Sequence, residues 1–209
     1  MYERPMSNLS KILIVLITII VLLFARSIIS DRPVYQGEIE VPLQSDLGDM
    51  KEIRHIGKEG EVILLPKAEY TLKGVVKSKK KYSDYPSQIS EYDLTFAWGE
   101  LNKDEIDAFI QYSQSGRWYY YKYKAGTPVS GDYIAKHSAN VHIIHKDKNV
   151  LNQIKKVNPG DYVILKGYLV DVNFNKNQSD PLWRTSTTRE DTGNGACEIL
   201  FVEKVEIVD

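Results

Sequence analysis

Asp161-Tyr162-Val163-Ile164-Leu165-Lys166-Gly167-Tyr168-Leu169-Val170-Asp171-Val172 is the stretch on which the fold turns. It is too long and too rich in β-branched residues to be anything but a strand. A glycine in its middle marks a bulge or a sharp bend. Just upstream, Val150, Leu151 and Ile154 recur at helical spacing after Asp147, and Asn158-Pro159-Gly160 closes that helix. Downstream, Glu198 to Val208 reads as the last strand.

Farther upstream, Glu61–Leu65 and Tyr70–Val76 carry strand composition, with Pro66 expected to break them apart. Asn102-Lys103-Asp104-Glu105 reads as a helix start with an Asn cap, Ile106, Phe109 and Ile110 on one face, and Gly116 at its end. This order of elements is reminiscent of small Greek-key barrels of the OB type, in which a bent strand serves both sides. Lys79 to Arg117 would then be a large insertion. The expected fold is a mainly β (α+β) domain with an OB-like Greek-key barrel element and two short helices, preceded by one N-terminal transmembrane helix. Such an architecture does not by itself carry a function.

The anchor is the densest apolar block of the chain, Ile12 to Ala25, continuing through Arg26-Ser27 to Ile28-Ile29. Counted to Ile29, with Arg26 reaching the headgroups, it approaches the roughly 20 residues a bilayer-spanning helix needs. A cleaved secretory signal is the competing reading, since Arg4 and Lys11 supply a basic leader. No small-x-small site comes after it, however, and Arg26 sits where cleavage would occur. The expected organisation is a short tail at 1–11, a signal-anchor helix at 12–29, a stalk or wrapping segment at 30–60, and a β-rich globular domain at 61–209. Flanking cations tie, Arg4 and Lys11 against Arg26 and Arg32, so orientation rests on the short N-terminal tail staying inside. The lipid bilayer is thus one partner, through 12–29, with the C-terminal domain extracytoplasmic and an envelope protein as a possible second partner.

Composition fits one domain. The chain has 209 residues, 43% of them apolar, with 27 basic and 28 acidic side chains and one cysteine. That balance excludes a polybasic nucleic-acid binder, and a single cysteine excludes an internal disulfide. The first 29 residues hold three cations and one acid, which leaves 24 basic and 27 acidic residues in the more polar remainder.

Three stretches have residues that could carry chemistry. In Gln114-Ser115-Gly116-Arg117-Trp118-Tyr119-Tyr120-Tyr121-Lys122-Tyr123-Lys124, aromatics alternate with cations as in a base-stacking surface, with Lys79, Lys80 and Lys81 nearby. The same alternation is ordinary sheet material, with Trp118, Tyr120 and Lys122 on one face. In His137-Ser138-Ala139-Asn140-Val141-His142-Ile143-Ile144-His145, three imidazoles invite zinc, but a strand points His142 and His145 to opposite faces. No metal site and no cofactor is expected.

The third stretch runs from Trp183-Arg184 through Arg189 and Asp191 to Gly193-Asn194-Gly195-Ala196-Cys197-Glu198. A catalytic reading makes Cys197 a nucleophile with His137 or His142 as its base. The alternative is an ordered loop with a small buried cysteine. As binding residues, Arg117, Trp118, Trp183, Arg184, Arg189 and Asp191 are the candidates.

Together these blocks, Gln114 to Tyr121, His137-Ser138-Ala139-Asn140 with His142, and Trp183-Arg184 with Arg189 and Asp191 to Glu198, resemble a family of uncharacterised bacterial proteins with an N-terminal membrane segment. The likeness covers roughly residues 66 to 208 and implies no activity. The family pattern would have a proline where His145 stands here, which weakens a three-histidine site further. The expected function is therefore a membrane-tethered, non-enzymatic binding or assembly module of the envelope. Its rivals are a Cys/His-dependent hydrolase or transferase centred on Cys197 and a cytoplasmic-side OB-type nucleic-acid binder.

Overall fold

The computed structural model describes residues 10–11, 13–20, 35, 37–174, 183–191, 193 and 195–208. The chain divides into two compact units, 1–33 and 34–209. In the first, residues 10–11 and 13–20 are helical (α1), and Thr18 Oγ1 donates back to the Ile14 carbonyl at 2.9 Å. No described helix is long and apolar enough to cross a membrane. The remaining residues of the expected anchor, 12 and 21–29, lie outside the described ones.

The second unit is mainly β, organised around one very long strand. β1 (Leu43–Ser45), β2 (Ile53–Gly57), β4 (Tyr92–Ala97) and β8 (Tyr162–Asn173) all pair with β3 (Gly60–Lys81). From β4 the ladder continues antiparallel to β7 (Ser138–His145), then parallel to β9 (Glu198–Val208), then antiparallel to β8. Because β8 pairs with β3 over Ile63↔Asn173 to Val75↔Tyr162, the pairing returns to where it began. The five strands β3, β4, β7, β9 and β8 form a closed ring, each paired over part of its length with a neighbour on either side. Leu72, Phe96, Val141, Leu165 and Leu200 are buried in its main core, and Leu64, Ile144, Val172 and Ile199 belong to a second cluster.

Pro66 does not end a strand, contrary to expectation. The chain runs through it, and a bulge between Pro66 and Ala68 absorbs the missing N–H. Gly167 behaves as its position suggests. The β8–β9 register shifts between Lys166 and Gly167, and a Cβ built at Gly167 would sit 1.9 Å from the Phe201 carbonyl oxygen. α4 (Lys148–Lys156) buries Val150 and Ile154 in the main core. Asp147 caps it by accepting from the Asn149 and Val150 amides at 2.8 and 3.0 Å. At its other end Lys79 Nζ donates to the Ile154, Lys155 and Val157 carbonyls at 2.8, 2.9 and 2.8 Å.

The expected helix from Asn102 to Gly116 is the main correction. Only one turn forms, α2 (Asp104–Asp107), with Lys103 at its cap position, and the Asn102 side chain instead donates to the Ala97 carbonyl at 3.2 Å. Beyond that turn the chain makes a separate hairpin, β5 (Ile110–Ser115) with β6 (Trp118–Tyr123). Ile110, Tyr112 and Gln114 alternate with exposed Gln111, Ser113 and Ser115, a period of two that a helix cannot satisfy. Gly116 and Arg117 have φ of 58° and 71°, the two positive values a tight hairpin turn of type I′ demands, so Gly116 opens a turn rather than ending a helix. The insertion accordingly spans the residues between β4 and β7, including the short α3 (Gly131–Lys136), and not Lys79 to Arg117. With two 3-10 turns at Tyr85–Gln88 and Glu100–Asn102, there are more short helices than the two expected. Ala97, Leu101, Ile106, Ile110 and Ile134 form the insertion's own small core.

Candidate functional site

The β4–β7 ladder places Asp93 directly opposite His142 and Thr95 opposite Asn140. Asp93 is wholly buried, and a carboxylate taken out of water needs partners. It has three. Arg117 Nη1 donates to Oδ1 at 2.7 Å, Asn140 Nδ2 reaches Oδ2 at 3.4 Å, and His142 Nδ1 lies 3.0 Å from Oδ2 without the alignment of a hydrogen bond. The β5–β6 hairpin tip delivers Arg117, whose Nε also donates to Asp84 at 2.8 Å and whose Nη2 donates to the Ser90 carbonyl at 2.9 Å. Its guanidinium holds the Asp84 carboxyl below the usual carboxylate range and lies 4.3 Å above the Tyr82 ring. Gln114 Nε2 to Asn140 Oδ1 at 2.6 Å and Tyr119 OH to the Ser138 carbonyl at 3.1 Å fasten the rest of the hairpin to β7. Trp183 covers His142 with ring centroids 4.7 Å apart.

Next to this polar centre, β9 begins with Cys197 and Glu198. The Sγ contacts are Asn140 Nδ2 at 3.9 Å and the Arg117 carbonyl at 4.0 Å. Burial, with Glu198 alongside, pushes the thiol up to about 12. Glu198 is fully buried and touched by Arg189; desolvation outweighs that guanidinium and raises the carboxyl to about 7. Burial likewise raises the Tyr119 hydroxyl to about 12.

Two clefts flank Arg189. One, of about 210 Å³, is lined by Trp118, Tyr119, Tyr121, Arg189, Asp191 and Cys197, among others. The other, of about 420 Å³, is lined by Val41, Pro42, Tyr70, His137, Arg189 and further loop residues. The candidates from the sequence thus gather in two places. Arg117, His142 and Trp183 converge on Asp93, while Trp118, Arg189, Asp191 and Cys197 share the smaller cleft.

His137 stands apart, its Nδ1 2.9 Å from the Tyr133 carbonyl and its ring stacked on Tyr133 at 3.7 Å. Neither His137 nor His142 hydrogen-bonds the Cys197 sulfur among the described contacts. Arg184 is exposed. Among the described residues no cluster of three metal-ligating side chains occurs. The lysines near the hairpin are individually engaged: Lys77 with Asp107 at 2.8 Å, Lys79 with the α4 carbonyls, and Lys81 with Glu91 at 3.5 Å.

Asp93, Asn140, Gln114 and Glu198 were missed as site residues. Asp93 was visible as a lone acid heading the apolar run Leu94-Thr95-Phe96-Ala97-Trp98, and Glu198 as an acid heading Ile199-Leu200-Phe201-Val202. An acid at the start of a buried strand needs a cation from elsewhere. No family model, curated protein or solved structure matches the chain.

Proposed function

We propose that this chain is a membrane-tethered, non-enzymatic binding or assembly module of the bacterial envelope, built on an OB-type barrel and anchored through residues 12–29. For the barrel, the support is the ring order β3-β4-β7-β9-β8 with a single parallel pair, β7–β9, and a helix between β7 and β8, the connectivity of a five-stranded Greek-key barrel. For the anchor, it is the apolar run from Ile12 to Ala25, in which Thr18 is the one polar residue.

One observation carries the choice of binding over catalysis. Groups that could do chemistry are committed to one another, Asp93 to Arg117 and Glu198 to Arg189, while an open cleft of about 210 Å³ remains beside them. A nucleophile needs a lowered pKa or a base in reach, and Cys197 has a raised one and no imidazole contact.

Two measurements test the reading. A phosphatase reporter fused at Asp209 should be active outside the cytoplasmic membrane; activity confined to a cytoplasmic reporter overturns the topology. In a strain that needs the chain, Ala196→Trp, which fills the cleft, should abolish complementation while Cys197→Ser preserves it. The reverse pattern would make the Cys197-centred enzyme the better account.

A further inference from the structure

We propose that the outward face of the β5–β6 hairpin is a second membrane contact, seated on anionic lipid headgroups. The inference rests on the anchor reading given under Proposed function.

The hairpin's two faces differ in kind. Facing the barrel, Gln114, Tyr119 and Tyr121 spend their polar atoms on Asn140, Ser138 and the Gly131 carbonyl, and Tyr112 packs on the insertion core. On the other face, the register stacks Ser115 with Trp118, Ser113 with Tyr120, and Gln111 with Lys122, and Trp118, next to the turn, also borders the smaller cleft. All six are exposed, including Trp118 at 38% and Tyr120 at 52%, and none of their side chains makes a hydrogen bond or ion pair among the described residues. The six side chains of this face include two amphipathic aromatic rings, hydroxyls, an amide and one lysine, and no carboxylate, in a chain whose acids outnumber its bases. Trp and Tyr are the residues that settle at the headgroup level, ring partly in the apolar boundary and polar edge in water. A lysine without an acidic neighbour complements anionic lipid.

Covalent reach supports the occupant. The anchor reading ends at Ile29, and the chain meets the barrel at Tyr35, whose ring stacks on Tyr162 of β8 with centroids 4.4 Å apart, ahead of Ile39, whose backbone exchanges hydrogen bonds of 3.2 and 2.8 Å with Gly99. The six steps from Ile29 to Tyr35 span at most about 22 Å when fully extended. Gly99 is also where the insertion leaves β4, and a strand of six residues such as β6 is roughly 20 Å long. The tether therefore enters near the base of the element that carries the exposed aromatics, and its greatest reach is comparable to the length of that element.

The full chain, reconstituted into phosphatidylglycerol–phosphatidylethanolamine vesicles brominated near the headgroup end of the acyl chains, tests this by tryptophan emission. Trp98 is wholly buried and Trp183 half-buried, so Trp118 is the most accessible indole. The wild type should lose emission relative to unbrominated vesicles, and Trp118→Phe should remove that loss. Tyr120→Ser and Lys122→Glu should each reduce it at least twofold, and phosphatidylcholine vesicles should show much less of it. Alkaline carbonate extraction of the same vesicles reads the anchor separately. A chain that resists extraction but whose Trp118→Phe variant is quenched like the wild type keeps its tether and overturns the second contact. A chain that is extracted, yet shows Trp118-dependent quenching beforehand, overturns the tether and supports the contact. Two other results overturn the proposal: Trp118 emission that responds to soluble cell-wall glycan but not to vesicles, or Trp118 shielding that appears only on self-association in detergent.

Discussion

Arg117 Nη1 lies 2.7 Å from Asp93 Oδ1, which joins the tip of a hairpin to a carboxylate that is wholly buried on β4 of the large sheet. The two residues are 24 positions apart and belong to different elements. Because Arg117 is only 13% exposed and its φ is positive, the turn is held in a conformation that costs energy for an L residue so that this side chain can be aimed. The pair is thus a device for holding the insertion to the large sheet.

Removing the cation should be expensive. Arg117→Ala strands the Asp93 charge, and breaking one partner of a buried pair typically costs about 3–5 kcal/mol. Arg117→Lys should recover less than half of that, because an ammonium cannot serve Asp84, Asp93 and the Ser90 carbonyl together as the guanidinium fork does. Urea unfolding of the β unit with the anchor intact in detergent reads both; a loss below about 1 kcal/mol for Arg117→Ala would show that the hairpin does not depend on this contact.

These contacts show where the sequence was readable and where it was not. β8 and β9 were legible because each is a long run rich in β-branched residues, and α4 because Val150, Leu151 and Ile154 recur at helical spacing ahead of Asn158-Pro159-Gly160. The insertion was not, because Asn102-Lys103-Asp104-Glu105 is a sound local helix start that tertiary pairing overrides after one turn. Pro66 misled for a related reason: a bulge can hide a missing donor inside a strand. Of the candidate site, Arg117, His142, Trp183 and Cys197 were identified by residue type. Their meeting point, Asp93, was not, since nothing local in Tyr92-Asp93-Leu94 says that a cation 24 residues later will fold back onto it.

Gly167 permits no side chain. The Phe201 carbonyl would stand 1.9 Å from an added Cβ, and backbone atoms on β9 cannot swing aside as a flexible side chain could. Gly167→Ala should therefore cost at least about 3 kcal/mol, at the upper end of overpacking penalties. The substitution should also disturb the β8–β9 pairing locally, read as lost amide-exchange protection from Lys166 to Leu169 and at Phe201 and Val202. Unchanged protection there would mean that the register shift is not set by this close approach.

Glu198 gives a pH dependence of unusual sign for an acid. Burial raises its carboxyl from the ordinary value of 4.5 to about 7 in the fold. Between those values the native state therefore holds a proton that the unfolded chain has lost. Stability should then fall as pH rises from about 4.5 to about 7 and level off above, by an amount on the order of 3 kcal/mol if no other group compensates. Glu198→Gln should abolish this contribution. Melting temperatures measured from pH 5 to 8 decide it: profiles that stay parallel for wild type and variant would rule out Glu198 as the source.

Cys197 provides the sharpest separation between a binding module and a thiol enzyme. With its thiol near 12, pushed there mainly by burial, roughly one molecule in ten thousand carries a thiolate at pH 8. In the unfolded chain an ordinary thiol near 8.5 would be thiolate in about a quarter of molecules, so native Cys197 should react with iodoacetamide about a thousand-fold more slowly than the denatured protein. Asn140→Ala removes one weak donor to the sulfur and should slow the reaction further, because the contact with Asn140 favours the thiolate. A catalytic cysteine would behave oppositely, alkylating faster in the fold than out of it and losing that advantage when His142 is replaced. Native alkylation as fast as that of the unfolded chain, together with a His142-dependent rate, would therefore overturn both the inert thiol and the non-enzymatic reading built beside it.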